Sequence, residues 1–441
     1  MTIAIILLIL LAYVLMSFEH VTNINKATIA VFAGVAGWIL LVSGPTSAGT
    51  FARYAADLCS IVLYLLATMN IVSVLHTNGC FDFIATVARS RSSRVTLWTL
   101  VAFTWLISVN LDNLTTTVLM LTIMSRIVQH QRHRMWVGAA IVIAANCGGA
   151  ATVIGDMTSL VVWTKGAVTP TSFSAALLVP TLLATAVATA LIARSLPEHM
   201  DLIRPTASYR GNTSPLRLWQ RMLLLVIGLG GLWFIPTFHR ITQLPPFFGA
   251  LCVLGVLWVL HEMLNHRRIR SGQPLSGGSN LLFQFASLQT IMYFVGIFLC
   301  VSLFIETGVM HSISSWCDEW IHNIYIMSIA MGALSAVLDN IALVLTAINI
   351  YPVADSIGQL SQIAGPAYAH AFMPDGQYWH LIIYSGCVAG CLLPVGNVCG
   401  YALMKAEEVT IMWYMRHIMP KVLVAWLLGL GAYFLIDFWI R

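Results

Sequence analysis

Charge is scarce in this chain. Only 9% of its 441 residues are Asp, Glu, Lys or Arg, against about 25% in a soluble domain. With 59% hydrophobic residues and a mean hydropathy of +0.85, that shortage excludes an ordinary soluble enzyme and a disordered chain. The net charge of +5 is spread over short loops, which excludes a nucleic-acid binder with one basic face. The alternating segments of an outer-membrane barrel are missing too. So is a basic stretch ahead of the first apolar run: Met1-Thr2-Ile3 leads straight into it, and no signal peptide is expected. What is present is a succession of apolar runs near the roughly 20 residues that cross a bilayer, so the fold class is an all-α polytopic membrane protein. The nine cysteines lie mostly inside those runs. They read as small core residues rather than a disulfide framework, and Cys387 and Cys391 have no Cys/His quartet around them.

The expected spans are Ile3 to Ser17, Ala27 to Val42, Ala55 to Leu75, Trp136 to Val162 and Phe173 to Ala193, then Met222 to Ile235, Phe247 to Leu264, Leu288 to Thr307, Leu381 to Met404 and Val422 to Phe438. Two segments do not fit. Val95 to Ser125 and Ile324 to Ile350 are long for one span and short for two, and each has Asp-Asn at its centre. Both read as re-entrant hairpins with a polar tip, which depth tolerates only where protein or a wet cavity surrounds it. With two hairpins, 18 of the 22 Lys and Arg fall on one side, leaving Arg53, Lys165, Arg240 and Arg441 on the other; with single crossings the split is 9 against 13. The positive-inside rule favours the hairpins and puts both termini outside the cell (inner) membrane.

The halves also share sequence. Ser108-Val109-Asn110-Leu111-Asp112-Asn113-Leu114 and Ser335-Ala336-Val337-Leu338-Asp339-Asn340-Ile341 follow one pattern, 227 residues apart. Gly149 to Gly155 and Gly390 to Gly396 have equal spacing, and Asp156 or Asn397 follows. His76 stands where Glu306 stands, 230 residues on. The expected division is a first inverted repeat over 1–193, a cytoplasmic linker over 194–221 and a second repeat over 222–441. The first hairpin (95–125) enters from the cytoplasm and the second (324–350) from outside. Inverted repeats with broken helices meeting at mid-membrane are a secondary-transporter architecture.

Ionisable residues at depth default to a functional reading. Asp112 and Asp339 sit at the hairpin tips, beside Asn113 and Asn340. A carboxylate, an amide oxygen and unpaired helix-end carbonyls form a hard oxygen set that suits a small cation. Thr115 and Thr116 add oxygens beside Asp112, although threonines also satisfy backbone groups at a helix start. After the glycine break, Asp156 and Thr158 form the opposite wall, with Asn397 as the second-half counterpart. The better-equipped half-site is Asp112 with Asp156, expected to take Na+ or Li+. Glu306 and His76 are candidates for a proton relay. In His261-Glu262-Met263-Leu264-Asn265-His266 the second His falls off the face that two zinc ligands must share.

These motifs resemble a known family. Leu111 to Val118, Asn146 to Gly149, Ile154 to Thr158 and Leu334 to Val344 look like the signatures of NhaD-type sodium/proton antiporters, in the ion transporter superfamily of arsenite, citrate and dicarboxylate carriers. The resemblance covers about Ala55 to Ala193 and Leu288 to Met404. It implies a homodimer with a scaffold and a mobile unit moving elevator-fashion. The chain departs from the pattern between Asn70 and Thr77, which carries no acidic residue, and at Cys387, Val388 and Cys391.

The function that follows is exchange of Na+ (or Li+) for H+, with both ions competing for one carboxylate site. Its partners are small cations and the lipid bilayer, with no nucleic acid and no cofactor beyond the transported ions. An anion carrier for dicarboxylate or arsenite is the rival on the same scaffold; it would need donors or cations at the tips. An intramembrane enzyme would need facing His, Asp or Glu ligands at helical spacing.

Overall fold

A computed structural model describes residues 2–17, 19–22, 24–42, 47–90, 92–199, 201, 216–270, 280–321, 323–351, 353 and 370–440. Most of the expected linker lies outside them, including Arg204, Pro205, Arg210 and Pro215. The described residues are mostly helical and form no strand. Six helices are long and apolar enough to cross a membrane alone, Phe51–Thr77, Pro170–Ala193, Leu218–Thr242, Pro246–His266, Leu288–Glu306 and Met419–Trp439.

In chain order the helices are α1 (Thr2–Ser17), α2 (Glu19–Thr22), α3 (Lys26–Leu41), α4 (Ser47–Thr77), α5 (Asp82–Val87), α6 (Ser93–Ser108), α7 (Asn113–Ser125), α8 (Gln131–Gly149), α9 (Met157–Thr164) and α10 (Pro170–Ala193). Then come α11 (Leu218–Thr242), α12 (Pro246–Arg270), α13 (Asn280–Glu306), α14 (Val309–Trp320), α15 (Ile324–Ser335), α16 (Asn340–Ile350), α17 (Gln377–Ala389), α18 (Val398–Glu407), α19 (Ile411–His417) and α20 (Met419–Ile440). The spans expected over Trp136 to Val162 and Leu381 to Met404 are each broken in two, at the glycine breaks marked in the sequence. Glycine permits a backbone approach that a Cβ forbids, and the chain stops being helical at Gly149 and at Ala389. The short helices α5, α14 and α19 escaped hydropathy, which sees only long runs.

Packing divides the helices into two sets. α1, α3, α4, α11, α12 and α13 pack on one another. The seam between α3 and α13 is tight because Gly34 faces α13: a Cβ there would lie 2.7 Å from Leu299 Cβ. The broken and paired helices (α6 to α10 and α15 to α20) form the second set, with α8 against α6, α7, α10 and α18, and α17 against α15, α16 and α20. In α10 the buried hydroxyls of Thr181, Thr185 and Thr189 bond back to the carbonyls of Leu177, Thr181 and Thr185 at 2.7–2.8 Å, so this polar stripe packs against α8 and α20 with its groups satisfied. The sets meet where α13 touches α7 and α16.

Candidate cation site

The chain between α6 and α7 turns at 109–112, and Asp112 caps α7. Its Oδ2 accepts from the backbone N–H of Thr115 at 3.0 Å and from the Thr115 hydroxyl at 3.1 Å. This is the standard way to satisfy an orphan helix-start amide, and it consumes one carboxylate oxygen. The other, Oδ1, is buried and has no hydrogen-bond partner among the described residues. The Oδ1 of Asn110 and the hydroxyl of Thr116 are also buried without a partner. Three oxygens with unspent lone pairs therefore sit within one turn of the tip.

Asn113 ties the tip to the broken helix. Its amide donates to Asn146 Oδ1 at 3.1 Å and to Asp156 Oδ2 at 3.3 Å, and its own Oδ1 accepts from the N–H of Leu114. Asp156 caps α9, its Oδ1 accepting from the N–H of Thr158. The break is held by close backbone approach: a Cβ on Gly155 would lie 2.7 Å from Ser108 O and 2.8 Å from Gly149 O, while Ser108 donates its hydroxyl to Ala145 O at 2.6 Å. Asp112, Asn113, Asp156 and Thr158 are thus brought together, and all are buried.

Sequence reasoning missed one member. Cys387, from α17 in the other half of the chain, donates its thiol to Asp156 Oδ2 at 3.0 Å and lies 3.7 Å from the Thr158 hydroxyl. The signal was present as an unexpected Cys in the second glycine break, but nothing local tied it to Asp156, 231 residues away. From its caps at Asp156, α9 runs to a cavity of about 400 Å³ lined by Asp57, Tyr64, Thr164, Lys165 and His239 among others.

The second tip has the same local build and different partners. Asp339 caps α16 through the N–H of Ile341 at 3.0 Å, Ser335 donates to Gly386 O at 2.7 Å, and Asn397 caps α18 through the N–H of Gly400. Asp339 does not stand open, however: its Oδ2 is ion-paired with Lys26. Lys26, which the sequence counts only as one of the 18 cations on the cytoplasmic side, lies against the second tip. There, among the described residues, Asn340 Nδ2, a donor, is buried without a partner.

Glu306 and His76 are not brought together. Glu306 accepts from Tyr54 OH at 2.9 Å, near the start of α4, whereas His76 is in the last turn of α4. At 1.5 Å per residue the 22 residues between Tyr54 and His76 span about 33 Å, so the two groups sit at opposite ends of that helix. His261 is spent on Asn78, at 2.8 Å, and on Asn265, a polar plug between α4 and α12.

Helix breaks that meet around buried carboxylates, inside a bundle of membrane-length helices, define a polytopic membrane transporter. The profile described as Citrate transporter matches residues 3–373, and the chain belongs to that family. Among curated relatives, Sodium/proton antiporter 2 of Arabidopsis thaliana is 28% identical over 434 residues, covering 96% of this chain and 97% of its own. Sodium/proton antiporter 1 of the same plant is 28% identical over 445 residues (98% of this chain, 72% of its own). The Na(+)/H(+) antiporter NhaD of Vibrio parahaemolyticus is 25% identical over 388 residues (80% and 84%). The resemblance to NhaD-type transporters holds across the chain, which is a transporter and not an enzyme. Among solved structures, the Alcanivorax borkumensis YdaH transporter superposes with a TM-score of 0.52 at 15% identity, over 91% of this chain and 90% of its own, a likeness of fold.

Proposed function

We propose that the chain exchanges Na+, and Li+ in its place, for H+ across the cell membrane. The relatives named as sodium/proton antiporters support the reaction. The observation that carries the site is the buried, unpartnered Oδ1 of Asp112, one residue from the Asn113 that bonds Asp156. An isolated carboxylate at depth is costly unless it gains a counter-charge. Either a cation or a proton supplies it, and one oxygen cannot serve both at once. Asp112, Asn113, Thr115, Thr116, Asp156 and Thr158 form the exchange site; Asp339, Asn340 and Asn397 are its structural counterparts. The family's name points to citrate, but a citrate site would need unspent positive charge, and Lys26 at the second tip is bound to Asp339.

The two halves are inverted repeats with re-entrant hairpins at 95–125 and 324–350, and both termini lie outside. The set built on α3 and α13 is the scaffold, in a homodimer, and the set holding both tips slides past it as an elevator. The cavity beyond α9 is the outer vestibule.

The test uses purified protein in liposomes with an acid interior and a pH-sensitive dye. Na+, Li+, K+ and citrate are added in turn. Dye recovery on Na+ or Li+, lost in Asp156→Asn, is the expected result; the substitution reproduces the Asn that caps the matching helix at 397. Recovery on citrate alone would overturn the reading.

A further inference from the structure

The two tips share one motif, but the polar groups around it do not recur. Counted 227 residues on, Asn110 becomes Val337, Thr115 becomes Ala342, Thr116 becomes Leu343 and Thr117 becomes Val344. Across the break, Asp156 becomes Asn397. Apart from the motif serine and the amide next to the Asp, the oxygen-bearing side chains around Asp112 on the first tip are apolar at the matching positions of the second. A carboxylate whose own hairpin offers no further oxygens still needs a counter-charge.

Lys26 provides it. Asp339 Oδ1 is taken by the N–H of Ile341 and Oδ2 by the Lys26 ammonium. The same ammonium lies 4.4 Å from the centroid of the Tyr293 ring, a cation–π contact that adds to its hold. The side chains of Lys26 and Asp339 are 12% and 7% exposed. Beside the pair is a cavity of about 20 Å³, lined by Tyr13, Glu19, Tyr293 and Tyr401, which is room for about one water. A free Na+ would have to displace an ammonium tethered by its own backbone, which competes at the effective concentration of an intramolecular group, in the millimolar range or above.

We infer that Lys26 is the resident counter-cation of Asp339 and that the chain binds a single transported cation, at the Asp112 tip, the second tip being closed to Na+. This rests on the Na+/H+ reading above and fixes its cation count. In the conformation described the pair also joins α3 of one helix set to the second hairpin of the other, so Lys26 positions that hairpin in this conformation and does not touch the transported ion.

The test is a count of radiolabelled Na+ bound to the purified full-length protein by equilibrium dialysis. The expected result is one Na+ per chain in the parent and none in Asp112→Asn. Two per chain in the parent, or one remaining in Asp112→Asn, would overturn the inference while leaving the exchange reading intact. No Na+ bound by the parent would overturn both. A second arm uses Lys26→Gln/Asp339→Asn, which removes both charges together and so leaves no buried charge unpaired. It should bind one Na+ with a Kd within about threefold of the parent, while each single variant melts at a lower temperature than the double. A folded double variant that has lost Na+ binding would overturn the assignment.

Discussion

Asp112→Asn separates the capping role of Asp112 from its role toward a cation. In the parent, Oδ2 carries both hydrogen bonds from Thr115 and Oδ1 carries none. An Asn side chain places its carbonyl oxygen where Oδ2 was and its NH2 where Oδ1 was. The cap survives, since Asn and Asp are about equal at that position, but the unspent acceptor becomes a donor. The ion-free variant should therefore melt at or above the parent temperature, because an unpaired buried charge has been removed. Cation binding should fall by about 3 kcal/mol, the scale of losing one partner of a buried charge pair, which is a Kd roughly 100-fold weaker. At a Na+ concentration 100 times the parent Kd, ligand linkage stabilises the parent by about 2.7 kcal/mol and the variant by only about 0.4 kcal/mol. The assay is thermal unfolding of the purified protein with Na+ replaced by choline at constant ionic strength. Asp112→Ala serves as the contrast: it should show the same lost Na+ response and, without the cap, an ion-free stability about 1 kcal/mol below that of Asp112→Asn. Equal Na+ stabilisation of the parent and Asp112→Asn would refute the assignment of the ion to this tip.

Other perturbations test the frame that holds the tips. Gly155→Ala and Gly396→Ala force a Cβ to 2.7 Å from Ser108 O and 2.6 Å from Ser335 O respectively; each should cost about 1–3 kcal/mol as overpacking, read as a lower melting temperature, with exchange lost in the first. Ser108→Ala removes the 2.6 Å bond to Ala145 O and should cost about 1 kcal/mol, measurable in the same melting experiment. Glu407 is buried and accepts from Arg134 Nε at 2.7 Å. Because Arg134 is partly exposed, Glu407→Ala should cost less than the full loss of a buried pair, about 2 kcal/mol, and Glu407→Gln should recover part of it.

The features legible in the sequence are those written by local chemistry. A helix that begins inside protein needs a side-chain cap, so Asp112, Asp156, Asp339 and Asn397 could be placed at helix starts from their spacing to the glycines and to the apolar runs behind them. Hydropathy located the long helices, with ends off by up to eight residues. It did not find α5, α14 or α19, which are shorter than its window, nor did it break the runs at Gly149 and Ala389, since glycine and alanine count as apolar. The partners of the caps were harder to read. Cys387 reaches Asp156 across 231 residues and Lys26 reaches Asp339 across 313, and no periodicity connects such positions. His76 and Glu306, matched in sequence, lie at opposite ends of α4, a separation that no local pattern in the chain displays. The asymmetry of the tips, by contrast, was written in the chain all along. Thr115 and Thr116 against Ala342 and Leu343 is a difference between oxygen and carbon at the same register. An Asp kept where its neighbouring oxygens are gone implies a cation from elsewhere in the protein, and the few lysines of so sparsely charged a chain are the first place to look for it.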